Sequence, residues 1–245
     1  MEAPFTTKLR VPITSPLHQL VVRVKPNCAY WTFEEASGDF IDKIAGYIIP
    51  RSTLNTATGI ITNGISMPGD SQTPGTGPAF WLPASHGVSL WGWFKMAGGT
   101  PTDVAGAFYF TDNASLGFLL FPFMASGAVW VGAQIQDDFI QLPTAIAPGA
   151  WFLLCLVWDR TASTMTTWLN TTIVDQHAYT GAAFPDAAVL RNMFAFHQNA
   201  PFGGYVNADE MGLGLNSALT ADQVTALYNS GSGLTWPAVK PFLLS

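Results

Sequence analysis

The side chains that could do acid–base chemistry occur in this sequence as adjacent acidic residues. Glu34-Glu35 and Asp209-Glu210 both lie in segments with the alternating pattern of a β-strand. Cleavage of a glycosidic bond requires two carboxyl groups that face each other across that bond. Neighbouring residues of a strand point to opposite faces, so neither pair offers this arrangement. We therefore expect a protein that is not an enzyme and has no catalytic residues.

The remaining reactive residue types form no motif. His18, His86, His177 and His197 are scattered, and we interpret them as polar surface residues; the segment Asp137-Asp138 reads as a solvated turn. No His-Glu-x-x-His, Cys-x-x-Cys or Gly-x-Ser-x-Gly pattern occurs.

The two cysteines, Cys28 and Cys155, lie far apart in the sequence. We expect two free, buried thiols, because no export signal is recognisable; one long-range disulfide is the alternative in an oxidising compartment.

The length of the chain allows one large domain or two small ones, and all-β sandwiches commonly reach this size as a single unit. The chain has 245 residues, of which 49% are hydrophobic and only 11% are charged. Such a chain can bury a large core but has few charges for its surface. No stretch of apolar residues is long enough to span a bilayer, so we expect no membrane insertion. The first residues contain no apolar core of a signal peptide.

Charge is distributed unevenly along the chain. Residues 1–30 carry Lys8, Arg10, Arg23 and Lys25 against Glu2, a balance of +3, which leaves −9 for the rest of a chain whose net charge is −6. An acidic body argues against nucleic-acid binding, which needs clustered basic residues. The basic segment suggests an assembly arm at 1–27 that docks on an acidic partner or a neighbouring copy. A solvated terminus is the alternative.

Short runs rich in β-branched and aromatic residues recur between turn residues, which is typical of an antiparallel sandwich. The predicted strands are 29–33, 89–96, 105–110, 116–121, 129–136, 151–158, 165–169, 193–196 and 205–213. Residues 50–78 read as a long loop or loose hairpins, with a weak strand signal at 59–62.

One short helix is predicted near the C-terminus. Thr220 is a good N-cap, and Gln223 three residues later completes a capping box. Val224, Leu227 and Tyr228 then fall on one face, and residues 229–233 supply the stop.

Two of the predicted strands are apolar on both faces. In residues 151–158 and 116–123 no polar alternation occurs, although a strand with one wet face should alternate. Something must therefore cover the outer faces: the arm, the terminal helix, a long loop or another subunit. Pro122 suggests an edge or bulged strand.

Several segments in the right order resemble LamG-like jelly rolls of the concanavalin A-like lectin/glucanase superfamily. They are residues 30–38 (YWTFEEASG) followed by Asp42, residues 88–95 (VSLWGWFK), residues 149–159 with 165–170, and residues 206–231, where Ala208 replaces the usual isoleucine before Asp209-Glu210. The resemblance implies an all-β, two-sheet antiparallel jelly-roll sandwich with one short C-terminal helix. The domains would be an arm at 1–27, a jelly roll at 28–231 and a tail at 232–245.

The resemblance also implies candidate sites. Loops that join the first and last strands of this fold often supply oxygen ligands to calcium, and here those would be Glu35, Asp42 and Asp209. Alternatively, Asp42 caps a turn and Asp209 accepts hydrogen bonds from a neighbouring turn. The spaced Glu-x-Asp-x-Glu of the related glucanases is absent.

Sugar binding would need exposed aromatic platforms. Trp81, Trp130 and Trp236 are candidates, and Trp81 and Trp236 are favoured because they lie in loops that contain proline.

These observations support two functional hypotheses. The first is a non-enzymatic structural or attachment protein on the surface of a bacteriophage virion, as capsid decoration or in the tail. It would be made in the host cytoplasm without a signal peptide and would assemble with other virion proteins or as a homo-oligomer. The alternative is a calcium-assisted carbohydrate-binding module for cell-surface glycans.

Overall fold

Two antiparallel sheets packed face to face contain most of the described strands. The computed structural model describes residues 28–44, 46–51, 54–67, 80–81, 87–96, 108–111, 117–125, 127–181, 189–190, 192–193, 206–215, 218–235 and 238–239. The basic segment at 1–27, with Lys8, Arg10, Arg23 and Lys25, lies outside these residues. In the described part, no helix is long and apolar enough to cross a membrane.

The larger sheet has eight described strands and contains both the first and the last strand of the described chain. Its strands are β1 (Cys28–Trp31), β4 (Asn55–Thr58), β5 (Asn63–Met67), β7 (Val88–Met96), β12 (Trp151–Asp159), β13 (Thr164–Leu169), β14 (Thr172–Ala178) and β17 (Val206–Gly214). The order is β14-β13-β12-β7-β17-β5-β4, and β1 pairs with the second half of β17. The last strand therefore lies in the interior of the sheet.

The smaller sheet has five described strands: β8 (Phe108–Thr111), β9 (Gly117–Ala125), β10 (Ala128–Ile135), β11 (Asp138–Pro143) and β16 (Asn192–Met193). Their order in the sheet is β11-β10-β9-β8-β16. Two short pairs complete the description: β2 (Phe40–Ile41) with β3 (Ile48–Ile49), and β6 (Phe80–Trp81) with β15 (Val189–Leu190).

The main hydrophobic core lies between the two sheets. The larger sheet contributes Leu90, Phe94 and Leu154, and the smaller sheet contributes Leu120 and Val131, all fully buried. Because side chains alternate along a strand, every second residue of β10 points into this core. Burial of each such side chain stabilises the fold by about 1.5–3 kcal/mol.

A second hydrophobic cluster lies on the outer face of the larger sheet, where the terminal helix covers it. Helix α1 (Ala221–Tyr228) buries Val224 and Leu227 against Trp91, Trp93 and Cys155. The apolar outer face of residues 151–158 is thus covered by the terminal helix, one of the covers expected from the sequence.

The ends of α1 follow the sequence prediction. Thr220 accepts a hydrogen bond from the Gln223 amide, and the Gln223 side chain accepts one from the Thr220 amide, so the capping box is formed. Asn229, in the left-handed region with φ 44°, ends the helix. These local bonds satisfy backbone groups that a helix end leaves free.

The prediction of an all-β, two-sheet antiparallel sandwich with one short C-terminal helix is confirmed, with differences in detail. Strands β11 and β14 were not predicted, since DFIQLP is short and contains proline and TIVDQHA is mostly polar. Residues 59–62 form the turn of the β4–β5 hairpin rather than a strand. Pro122 lies opposite Val131 of β10, and β8 pairs with β9 only over residues 117–120. Among the described residues Pro122 therefore has a strand partner on one side only, and the predicted edge position of Pro122 stays a prediction.

Both cysteines are free and buried, as expected. Cys28 in β1 and Cys155 in β12 are separated in the sheet by β17 and β7. Burial, with a smaller contribution from the charge of Asp42, raises the pKa of Cys28 to about 11, and burial also raises the pKa of Cys155. Neither thiol is therefore a nucleophile at neutral pH.

The domain boundaries remain a prediction. Within the predicted tail, Val239 is buried in the outer cluster and Leu234 packs against it, so described residues of the tail contact the sandwich.

Candidate functional site

Four aromatic side chains lie side by side on the outer face of the smaller sheet. This aromatic patch consists of Phe121 and Phe123 of β9, Trp130 of β10 and Phe139 of β11. Their neighbours along each strand point inward to the core, so alternation directs these four residues outward. The register places Phe123 directly opposite Trp130.

The rings of the patch are in continuous contact. The ring centroids of Phe139 and Phe121 are 5.6 Å apart with an interplanar angle of 12°, and those of Phe121 and Phe123 are 5.8 Å apart. The Trp130 ring follows at 5.8 Å from Phe123. Such pairs stabilise one another beyond the area they bury.

Gly132 makes this arrangement possible. It lies opposite Phe121 on β10, the middle one of the three strands that carry the patch, and a Cβ at this position would overlap the Phe121 ring. Without a side chain at 132, the ring of Phe121 can cross β10 and stack on Phe139 of the next strand. The patch therefore depends on one glycine of β10.

The patch combines exposed ring surface with amide groups. Phe139 is 47% exposed, whereas Phe121, held between its neighbours, is 8% exposed. Gln141 of β11 is exposed beside the patch, opposite Gly132. Flat aromatic faces with a few hydrogen-bonding groups suit ligands that have both apolar C–H faces and hydroxyl groups.

Sequence reasoning found only part of this patch. Trp130 was among the candidate platforms, but the three phenylalanines were not. The favoured tryptophans cannot be placed on a site: Trp81 lies in β6 with its side chain outside the described atoms, and Trp236 lies outside the described residues. The sequence feature that could have revealed the patch is the segment 116–123, which is apolar on both faces of the predicted strand.

A second cluster consists of three buried or partly buried carboxyl groups, those of Glu34, Asp209 and Glu210. A β-bulge between Asp209 and Gly212 places Glu210 in the left-handed region with φ 46°. The bulge breaks the alternation, so the expected placement of Asp209 and Glu210 on opposite faces of a regular strand is wrong. Asp209 is 0% and Glu210 3% exposed.

The hydrogen bonds of the two buried acids differ. Asp209 accepts bonds from the amides of Ile60 (2.9 Å), Ile61 (3.4 Å) and Glu210 (2.8 Å). Glu210 accepts one from the Tyr30 hydroxyl. Burial, with added repulsion from Glu34, raises the pKa of Asp209 to about 7.

The pKa of Glu210 is raised further above its ordinary value than the pKa of Asp209 is. Burial, with repulsion from Asp209 and Glu34, raises the pKa of Glu210 to about 9 against the opposing hydrogen bond of Tyr30. Glu210 is therefore protonated at neutral pH.

The carboxylates predicted to bind calcium have protein partners. Asp42 accepts bonds from the amides of Tyr30 (3.0 Å), Ile44 (2.9 Å) and Tyr47 (2.9 Å), as a turn cap would. Glu35 forms an ion pair with Lys43 at 2.7 Å. Asp42 and Asp209 therefore make the hydrogen bonds that the alternative interpretation predicts: Asp42 caps a turn, and Asp209 accepts bonds from a neighbouring turn. Among the described residues no group of three or more His, Cys, Asp or Glu side chains could hold a metal ion. Calcium at Glu35, Asp42 and Asp209 stays a prediction.

His177 connects the edges of the two sheets. From β14 its Nε2 lies 3.0 Å from Oδ1 of Asp138 on β11, and its Nδ1 lies 2.5 Å from Oδ2 of Asp175. Asp138 also accepts a bond from the Thr180 amide at 2.9 Å. Asp138 is buried, so its interpretation as part of a solvated turn is wrong. His177 is partly exposed on the edge strand β14, as expected of a surface residue, but it is paired with Asp138 and Asp175.

We expect this connection to weaken as the pH rises. Burial lowers the pKa of His177, but the hydrogen bonds and charges of Asp138 and Asp175 outweigh it and raise the pKa overall. The stabilisation by this connection is present in full below pH 6.5, the pKa of His177 in the unfolded chain. It is lost as the pH rises past the higher pKa that His177 has in the folded protein. His177→Gln should lower the free energy of unfolding by about 1 kcal/mol at pH 5.5 and by less at pH 9. Urea unfolding at both values checks this, and an equal loss at both would contradict it.

Comparisons with known proteins identify the fold. No family model matches the chain, and no curated protein matches it. Among solved structures it is similar to the ligand-binding domain of botulinum neurotoxin serotype D in complex with N-acetylneuraminic acid, with a TM-score of 0.62 and 11% identity over 82% of this chain and 50% of that chain.

Two further solved structures are similar to this chain. The binding domain of Paraclostridial mosquitocidal protein 1 gives a TM-score of 0.62 at 10% identity, over 84% of this chain and 52% of that one. Botulinum neurotoxin type C, whose cell entry depends on two ganglioside molecules, gives 0.57 at 9% identity, over 82% and 50%. The chain spans about half the length of these proteins. At such identities the likeness establishes a β-sandwich fold that is also found in binding domains.

Proposed function

We propose that this protein is a carbohydrate-binding module and that the aromatic patch is its binding surface. The observation that carries the proposal is the contiguous set of Phe121, Phe123, Trp130 and Phe139 on an outer sheet face, beside the exposed amide of Gln141. Exposed aromatic clusters of this kind mark interaction sites. The fold that the chain shares with glycan- and ganglioside-binding toxin domains supports the same function.

The buried acids support a binding role without catalysis. A glycosidase acid or nucleophile must touch the scissile bond. Asp209 and Glu210 are both buried, Asp209 hydrogen-bonded to the Ile60 amide and Glu210 to the Tyr30 hydroxyl. Their raised pKa values therefore reflect burial rather than a role in catalysis.

Removal of ring surface from the patch tests the proposal. In isothermal titration or affinity electrophoresis with the best ligand from a glycan array, Trp130→Ala and Phe139→Ala should each weaken binding about tenfold, the equivalent of 1.4 kcal/mol. The matched control is Ile173→Ala, since Ile173 is similarly exposed, at 43%, but lies on β14 of the other sheet. Unchanged affinity in both patch variants, with correct folding, would refute the assignment.

The same titration in the presence of EDTA tests calcium assistance. Loss of binding on chelation, restored by added calcium, would support the predicted ligands Glu35, Asp42 and Asp209. Binding that is unaffected by EDTA would remove calcium from the mechanism.

We also propose the setting inferred from the sequence, an attachment protein on a virion surface. The supporting observation is the basic segment at 1–27 on an acidic body. Deletion of these residues should abolish incorporation into particles and oligomers while glycan binding remains. Undiminished incorporation of the truncated protein would exclude the arm as the anchor.

A further inference from the structure

We infer that a row of polar side chains on the outer face of the larger sheet is a second ligand site, and that it binds carboxylated glycans. This polar row consists of Trp151 of β12, Lys95 of β7, Asn207 of β17, Ser66 of β5 and Asn55 of β4. It lies on a different sheet from the aromatic patch. The inference therefore goes beyond the proposed function and does not rest on it.

Strand register brings the five residues of the polar row into one line. Trp151 is paired with Lys95, Lys95 with Asn207, Asn207 with Ser66, and Ser66 with Asn55. Side chains of directly opposite residues point to the same face, with their Cβ atoms about 4.5–5.5 Å apart. The row therefore crosses five neighbouring strands, a span of about 19 Å at the usual strand spacing.

The polar row faces outward and is accessible to a ligand. Its neighbours along the strands, Phe94, Ile65 and Ala208, point into the main core, so alternation directs the row to the outer face. Four members of the row are partly exposed, and Asn55 is exposed.

The polar row borders the area that α1 covers. Trp93, the outward-facing residue before Lys95 on β7, stacks on Tyr228 at the end of α1 with ring centroids 5.6 Å apart. Asp209, two residues after Asn207 on β17, is fully buried and accepts hydrogen bonds from three backbone amides. The carboxyl group of Asp209 is thus directed into the fold, whereas the ammonium group of Lys95 lies on the accessible row.

Lys95 makes the row suitable for an anion. Its Nζ lies 4.9 Å from the ring centroid of Trp151, a cation–π contact that holds the ammonium group above the indole. An ammonium group has three N–H donors, so it can face the ring and still donate to a carboxylate. Hydrogen bonds between charged partners are roughly twice as strong as neutral ones. Because the charge is already positioned, less ordering is needed when a carboxylate binds.

The other polar members of the row suit hydroxyl groups. The amides of Asn207 and Asn55 each offer donors and an acceptor, and the hydroxyl of Ser66 offers both. Because these side chains are neighbours in register, they can bind successive hydroxyl groups of one ligand. A uronic or sialic acid within a glycan combines a carboxylate with several hydroxyl groups, whereas an acidic peptide supplies carboxylates with few hydroxyls. The row therefore fits a carboxylated glycan.

An array of oligosaccharides that contain a uronic or sialic acid, each printed beside its methyl ester, tests the inference with the full-length protein. The ester keeps the oxygen atoms but removes the charge. We expect the acid form to bind at least tenfold more tightly than its ester, the equivalent of 1.4 kcal/mol. Lys95→Gln should abolish this preference, and Lys95→Arg, which keeps the charge, should retain it. Asn207→Ala should weaken binding of both forms about fivefold, as expected for one lost neutral hydrogen bond.

Lys43→Gln is the matched control for the loss of charge. It removes one cation from a partly exposed site that pairs with Glu35, so its net charge equals that of Lys95→Gln. Long-range repulsion of an anionic ligand by the acidic chain is therefore the same in both variants. The preference for the acid form should survive Lys43→Gln, and thermal unfolding checks that both variants are folded.

The outcomes separate the polar row from the aromatic patch. If no acid form bound better than its ester, or if the preference persisted in Lys95→Gln or disappeared equally in Lys43→Gln, the inference would be wrong. Loss of the preference in Phe139→Ala would also overturn it, because the acid would then bind at the patch. Weaker binding of neutral glycans to Phe139→Ala with the acid preference retained would support both sites. Neutral binding that Phe139→Ala leaves unchanged would count against the patch alone.

Discussion

Replacement of Glu210 by glutamine should make the fold more stable above neutral pH, by on the order of 2 kcal/mol at pH 8. The folded state holds the Glu210 proton more tightly than the unfolded state does, because burial raises its pKa from 4.5 to about 9. Stability therefore falls as the pH rises above 4.5 and continues to fall up to about 9, by as much as about 1.4 kcal/mol per pH unit. Glutamine stays neutral and keeps an oxygen that can accept the Tyr30 hydroxyl bond.

Urea unfolding from pH 5 to pH 9 measures this effect. The wild-type protein should lose stability across the range, and Glu210→Gln should lose less. Asp222→Asn, which removes an exposed carboxylate from the first turn of α1, should keep the wild-type slope. Parallel curves for the wild-type protein and Glu210→Gln would show that Glu210 does not take up a proton on folding.

Gly212→Ala should destabilise the protein by about 3 kcal/mol, the upper end of the cost of overpacking a core. Gly212 of β17 is paired with Trp91 of β7, and a Cβ at 212 would overlap the six-membered ring of Trp91. That ring cannot move aside easily, because Trp91 is buried beneath α1 in the outer hydrophobic cluster.

Gly214→Ala is the matched control for this substitution. Gly214 lies two residues further along the same strand, and a Cβ there would meet no atom within 4 Å. Its effect should therefore stay within about 0.5 kcal/mol. Thermal or urea unfolding of the two variants side by side checks the difference, and similar losses would mean that strand propensity, rather than Trp91, decides the cost.

The terminal helix shows what local sequence can predict. The capping box of Thr220 and Gln223 involves residues three apart, so the interactions that start the helix are contained in one short segment. The apolar spacing of Val224 and Leu227 then requires a hydrophobic surface to pack on. The two-faced apolarity of residues 151–158 indicated that such a surface exists.

The patch could not be derived in the same way. It depends on register, because Phe121 must lie opposite Gly132 before it can reach Phe139 across β10. A shift of one residue would turn the same side chains toward the core. Strand β11, which carries Phe139, was itself not predicted.

The arrangement of the buried acids and the pairing of His177 could not be predicted for a related reason. Alternation was assumed for Asp209-Glu210, but a bulge interrupts it at a point that no local residue pattern marks. His177 meets Asp138 across the two sheets, 39 residues away in the sequence. Contacts of this kind arise only from the complete topology.

The interior position of β17 has a consequence for synthesis of the chain. Tyr30 of β1 and Glu210 of β17 are separated by 180 residues, and β17 is the partner strand of β1, β5 and β7. At about 5–20 residues per second, a ribosome needs on the order of ten seconds to add that interval. During this time the unpaired edges of β5 and β7 could join a neighbouring nascent chain instead. Slow translation or crowded polysomes should therefore lower the yield of folded protein, and a holding chaperone should restore it.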